Sequence, residues 1–170
     1  MLKWLWLTAL VVLLDQVSKQ VAVSMLAMHD PQAFLPFFNF TLTYNKGAAF
    51  SFLSNAGGWQ RWFFTALAIG VSIFIFFWLK KLTSKEKLLA ASLALVLGGA
   101  IGNVIDRSLY GYVIDFIDWY YPSSDSCLPF FFALNRATCH WPTFNIADSA
   151  ILLGATLMII QAIFAKEEKS

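Results

Sequence analysis

"GNVIDRSLYGYVIDFIDWY", residues 102–120, gathers Asp106, Arg107, Asp115 and Asp118 inside a chain that is 59% hydrophobic and only 13% charged. Whether these charges are a solvated surface or a site depends on what surrounds the stretch. A mean hydropathy of +0.65 with 17% aromatic residues lies far outside the range of soluble domains and makes the chain an integral membrane protein. The 170 residues fit one domain. The net charge of +2 contains no basic block of the kind that binds nucleic acid, so no nucleic-acid partner is expected.

Crossing about 30 Å of hydrocarbon takes roughly 20 mostly apolar helical residues. Four segments qualify: residues 5–23, 61–79, 88–105 and 146–165. The first, after Lys3, resembles a signal peptide, but Asp15 closes the apolar run and no small-x-small cleavage site follows, so a retained helix is expected. Lys3, then Lys80, Lys81, Lys85 and Lys87, then Lys166 and Lys169 flank the same ends of the spans. The positive-inside rule makes that side cytoplasmic, with both termini on it and loops 24–60 and 106–145 facing outward. All seven tryptophans fall at or just beyond span ends, where an amphipathic ring prefers the headgroup layer.

The outer loops carry strand patterns. "FNFTLTYN" (38–45) alternates Phe38, Phe40, Leu42 and Tyr44 with Asn39, Thr41, Thr43 and Asn45, the period of a half-buried strand. "NKG" (45–47) offers turn chemistry, and "AAFSF" (48–52) is a candidate returning strand. "YGYVIDFIDWY" also alternates, which puts Asp115 on a strand. A small sheet resting on the outer membrane surface is expected, over about 34–53 and 111–119. No internal repeat or low-complexity tract stands out.

In this topology the polar residues converge on one level. Asn103, Asp106 and Arg107 lie at the outer end of the third span, Asp115 just beyond it, Asn145 and Asp148 at the outer start of the fourth, and Asn45 in the first outer loop. Asp15 and Lys19 lie one turn apart in the first span. Ionisable groups in a span raise a functional hypothesis, but each has a plainer reading. Asn145 and Asp148 resemble a capping pair at a helix start. Asp15 and Lys19 read as a structural ion pair, with Lys19 snorkelling outward. "GGAIGN" (98–103) reads as small residues that allow close helix packing. Asp118 and Asp125 read as solvated loop charges. His29 and His140 lack metal-site spacing, so neither a metal nor a cofactor is expected.

Two carboxylates, Asp115 and Asp148, remain on separate elements that can meet at the outer interface. Such a pair in a low-dielectric site tends to share one proton, leaving one group as base and the other as acid. That combination activates water for attack on an amide carbonyl. Nucleophilic alternatives are scarce, since Ser18, Ser51 and Ser149 have no nearby His in sequence. From the residues alone, an aspartyl hydrolase stands beside a small proton- or ion-coupled transporter with Asp15, Lys19 and Asp148 as relay. The inner halves of all four spans lack the ionisable groups that a relay would need.

"DQVSK" (15–19), "YNKGAAFSF" (44–52), "GGAIGNVIDR" (98–107), "GYVIDFID" (111–118) and "FNIADSAI" (144–151) together resemble, in order, the signature of the lipoprotein signal peptidase (signal peptidase II) family of bacterial inner-membrane aspartyl proteases. The resemblance implies a polytopic α-helical membrane protein: four transmembrane helices with a small periplasmic β-cradle, forming one peptidase domain over 1–170. It implies removal of the signal peptide from diacylglyceryl-modified prolipoproteins before the lipidated cysteine, with Asp115 and Asp148 as the catalytic dyad. Asn45, Asn103, Arg107 and Asn145 match positions that line the site or contact ligand. Asp15, Lys19 and Asp106 match positions of partly structural role. Membrane lipids and globomycin-type inhibitors are implied as further ligands, and the chain is expected to act as a monomer. A noncatalytic lipoprotein-binding chaperone on the same fold would carry identical binding residues.

Between "DFIDWYY" and "HWPTFNIAD" the chain carries "PSSDSCLPFFFALNRATC", longer than the family's usual connection; the insertion runs over about 120–140. In this topology Cys127 and Cys139 face an oxidising periplasm, so a disulfide is expected to close it. "LPFFFAL" reads either as an apolar lid against lipid or substrate or as a membrane-resting loop.

Overall fold

The computed structural model describes residues 1–47, 58–123, 127–135 and 137–167, so the candidate returning strand 48–52 and Asp125 lie outside the described residues. After a single 3-10 turn (Leu2–Trp4) come α1 (Leu5–Met25), β1 (Gln32–Leu35), β2 (Phe38–Asn45), α2 (Trp59–Lys81), α3 (Lys87–Leu109), β3 (Val113–Pro122), β4 (Phe132–Asn135), β5 (Thr138–His140) and α4 (Ile146–Glu167). The four helices are long and apolar enough to cross a membrane. Each runs past the span read from hydropathy, because a helix does not stop where the hydrocarbon does: its backbone stays paired as polar and aromatic residues take over.

The chain forms two compact units, one from Met1–Gln16, Thr65–Ile105 and Ile146–Ser170, the other from Val17–Phe64 and Asp106–Asn145. In the first, α3 is the inner helix: 56% of its most apolar window is buried, against 28% for the first span and 17% for the other two. Ile75 and Leu79 pack with Ala90, Leu93 and Leu97. Close approach relies on glycine. A Cβ on Gly99 would run into the carbonyl oxygen of Ala147 on α4, and one on Gly102 would come within 2.6 Å of an Asp15 carboxylate oxygen. With no hydrophobic effect between helices in lipid, contact of this kind is what binds them.

In the second unit a five-stranded sheet has the order β1-β2-β3-β5-β4. β2 and β3 run antiparallel, with Thr43 opposite Asp115 and Asn45 opposite Val113. β2 is indeed a strand over 38–45, and polar residues are buried along it beside apolar Leu42: Asn39 and Thr41 are buried while Phe38 and Phe40 are only partly so. The reason lies opposite. Asp118 on β3 accepts a hydrogen bond from the Thr41 hydroxyl at 2.7 Å and lies 2.8 Å from His140 Nδ1. Asp118 is therefore not a solvated loop charge but a fully buried carboxylate tying β2, β3 and β5 together. The insertion is not a plain loop either, since it supplies β4 and β5, and a Cys127–Cys139 disulfide spans it with Cα atoms 5.5 Å apart.

Lys19, on the part of α1 in this unit, is fully buried, not snorkelling. Its ammonium sits 2.9 Å from Asp106 of α3, whose same carboxylate oxygen accepts the Ile114 N–H of β3 at 3.0 Å. Outward reach serves a lysine whose alternative is bare hydrocarbon. Here a carboxylate is in place and the ammonium stays inside.

Two outcomes test this packing by thermal unfolding in detergent. Gly99→Ala should lose about 1–3 kcal/mol through overpacking against the α4 backbone, whereas Gly70→Ala, with open space around the added methyl, should be neutral or better. Lys19→Met should lose about 3–5 kcal/mol by leaving Asp106 buried and uncompensated, and Lys19→Met with Asp106→Asn should recover part of that loss; equal losses in single and double variants would contradict the pairing.

Candidate active site

Asp115 lies in the middle of β3 and is buried to within 1% of complete. A carboxylate so placed requires hydrogen-bond donors, and two side-chain amides provide them. Asn45, at the end of β2, donates from Nδ2 to one Asp115 oxygen at 3.1 Å, and Asn145 donates to the other at 2.7 Å. Strand pairing sets both positions. The β2–β3 register brings the end of β2 alongside Asp115. The Phe144 carbonyl accepts the N–H groups of Phe116 and Ile117 at 3.0 and 2.9 Å, and Phe144 N–H returns to the Ile117 carbonyl at 3.1 Å. Residue 144 is thereby locked on β3, which aims the fully buried Asn145 at its neighbour. Asn45 also accepts the Gly47 N–H at 2.9 Å, so its amide orientation is held from both ends.

Arg107, on the last turn of α3, donates to the Gly47 carbonyl at 3.3 Å and lies over the Phe64 ring at 5.9 Å. Its guanidinium therefore borders the segment that leads out of β2. Nearby, the rings of Tyr44 and Tyr112 lie 4.4 Å apart, and burial, then Tyr44, Tyr110 and Asp106, raise the Tyr112 phenol above its ordinary pKa.

The helical unit contains the other carboxylate. Asp148 sits in the first turn of α4, where the helix dipole favours negative charge. Asn103 of α3 donates to it at 2.8 Å. The same helix start is secured by Asp15, which accepts the Ala147 N–H at 2.9 Å and the Gln16 amide at 3.2 Å. Gly102 makes room for this carboxylate, so "GGAIGN" serves close packing and the seating of Asp15 together.

Each sequence-predicted residue thus has a place. Asn45 and Asn145 gather on Asp115, Asn103 on Asp148, Lys19 on Asp106, and Asp15 on the α4 start. Cys127 and Cys139 are bonded in the insertion. Sequence reasoning missed the Asp118–His140–Thr138 chain, in which His140 Nε2 lies 3.0 Å from the Thr138 hydroxyl. Its partners meet only through the pairing of β3 with β5, and the three-residue β5 is too short for periodicity to reveal.

A membrane-embedded chain that buries a carboxylate under two aligned amides, with a second carboxylate at a helix start held by a third, has the components of acid–base hydrolysis without a Ser or Cys nucleophile. The family described as Signal peptidase (SPase) II matches residues 7–164. The lipoprotein signal peptidase of Alteromonas mediterranea is 49% identical, over 99% of this chain and 85% of that one. That of Teredinibacter turnerae is also 49% identical, over 96% and 88%. A solved structure described as a bacterial membrane enzyme, obtained by the in meso method at 2.3 Å resolution, superposes with a TM-score of 0.79 at 30% identity, covering 99% of this chain and 92% of its own. The chain belongs to the signal peptidase II family, aspartic-type peptidases that remove signal peptides from prolipoproteins.

Proposed function

We propose that Asp115 and Asp148 form the catalytic dyad of a single peptidase domain. The observation that carries the reading is the Asn145 hydrogen bond to Asp115 at 2.7 Å. Asn145, which bonds Asp115, precedes Asp148 by three residues in the sequence. One carboxylate takes a proton from water as its oxygen attacks the scissile carbonyl. The other protonates the departing amine as the tetrahedral intermediate collapses. Neutral amides suit this task better than cations would: Asn45, Asn103 and Asn145 fix the direction of each carboxylate without committing it to permanent ionisation.

In the same reading Arg107 binds substrate polar groups at the exit of β2, while Asp15, Lys19 and Asp106 hold the elements that carry the site. The substrate is a diacylglyceryl-modified prolipoprotein, cut before the lipidated cysteine. A diacylglyceryl group and a signal helix hold the scissile bond at the interface, which is the depth at which the span ends carry their polar residues. A globomycin-type cyclic peptide would compete for that position, and membrane lipids border it. The Lys clusters at 80–87 and the Lys at position 3 support the bacterial inner membrane with both termini cytoplasmic and the site on the periplasmic face. In this reading the protein acts as a monomer.

Cleavage of a synthetic diacylglyceryl prolipopeptide by the detergent-purified chain tests this. Asp115→Asn and Asp148→Asn should each lose at least about 10²–10⁴-fold in kcat while unfolding at the wild-type temperature. Wild-type kcat should fall on both the acid and the alkaline side of an optimum. Folded variants that still cleave would remove the dyad, and a wild type that binds the lipopeptide without cutting it would favour a lipoprotein-binding chaperone.

A further inference from the structure

The tetrapeptide Leu-Pro-Phe-Phe occurs twice, at 35–38 and at 128–131, and both copies fold the same way. In each, proline takes the second position of a turn and the first phenylalanine takes a left-handed backbone, with φ of 67° at Phe37 and 70° at Phe130. The first turn closes through the Leu35–Phe38 pairing, the second through the Phe131 N–H to the Leu128 carbonyl at 3.0 Å. Glycine or asparagine is the residue that such a position ordinarily takes. A bulky aromatic there is strained, and strain of this kind points to function.

Both strained rings are directed outward. Phe37 is 59% exposed and Phe130 66% exposed, each beside an exposed leucine of its own turn. The second phenylalanine does the opposite. Phe38 packs on Phe34 and Phe40 at 5.9 and 5.1 Å, and Phe131 on Tyr121 and Trp141 at 5.1 and 5.5 Å. One ring fastens the turn to the sheet and the other is presented. The register places the two turns at one level on opposite edges of the sheet. Tyr120 N–H donates to the Phe37 carbonyl at 3.1 Å on one side, and Tyr120 pairs through His140 with Phe132 on the other. Residues 31–38 and 127–135 contain no charged side chain.

We propose that the Leu-Pro-Phe turns are twin wedges that insert Phe37 and Phe130 into the acyl region of the outer leaflet, attaching the sheet to the bilayer at both edges. The occupant is lipid because the unit that carries both turns also contains the ends of α1 and α2, where Met25, Trp59 and Trp62 are exposed at the limit of the spans. The exposed residues are Leu and Phe, whereas a protein partner is more often engaged through Tyr, Trp and Arg. Small uncharged apolar tips at an interface bind by transfer of their rings into hydrocarbon.

The test replaces Phe37, Phe130 or the exposed polar Gln32 of the same hairpin with p-benzoylphenylalanine in the full chain, reconstituted in phosphatidylethanolamine–phosphatidylglycerol vesicles. After illumination, intact-mass analysis should find phospholipid adducts at 37 and 130 several-fold above those at 32. Adduct yields no higher than at 32, or crosslinks joining two copies of the chain, would overturn the proposal. Phe37→Asn with Phe130→Asn supplies the second reading, because asparagine accepts the left-handed backbone. The double variant should unfold in detergent at or above the wild-type temperature while KM for a lipid-anchored substrate rises in vesicles only. A lower unfolding temperature with an unchanged vesicle KM would make the rings merely structural and would also overturn it.

Discussion

An ammonium and a carboxylate 2.9 Å apart with almost no access to water hold α1 to α3 and, through the Ile114 N–H, to the start of β3. Burying two charges is expensive, and the Lys19–Asp106 pair is tolerable only because each supplies the other's compensation. The consequence is directional. Asp106 bonds the second residue of β3, which follows α3 after a short turn. Asp115 is the next residue on that strand, so the ion pair anchors the strand beside it.

The same rule, that no buried polar group goes unmatched, sorts the remaining carboxylates by use. Asp118 is matched by His140 and Thr41, and closes the sheet. Asp15 is matched by a backbone N–H of α4 and spares that helix an orphan donor. Asp115 and Asp148 receive side-chain amides from Asn45, Asn145 and Asn103. Partners of the first kinds stabilise architecture. Under the proposed dyad assignment, asparagine amides hold each carboxylate in place without the permanent counter-charge of a cation, as a peptidase that works on water requires.

Much of this was legible in the sequence because the bilayer is an unforgiving solvent. Four apolar runs of spanning length admit few readings, and the polar residues left at their ends stand out as a group. Distance in sequence hid the rest. Lys19 looked like a snorkelling residue because its partner is on another helix, and Asp118 looked solvated because His140 reaches it only after the insertion has folded into β4 and β5. Strands of four and three residues carry too little alternation to announce themselves. Alternation along β2 did not show that Asn39 and Thr41 would be buried, since that depends on the Asp118 carboxylate of the neighbouring strand. The recurrence of Leu-Pro-Phe-Phe does not stand out as an internal repeat in the sequence, and it gains meaning only from the backbone angles at Phe37 and Phe130.

The central claim is that Asp115 and Asp148 act as one titrating unit. Infrared difference spectroscopy across a pH series, on the wild type beside Asp115→Asn and Asp148→Asn, addresses it without reliance on turnover. A shared proton predicts a protonated-carboxyl band that persists to neutral pH in the wild type and is lost in both variants, because removing either partner frees the other to ionise as an ordinary aspartate. Two independent carboxylates, each variant removing only its own ordinary titration and leaving the other's unchanged, would contradict the account.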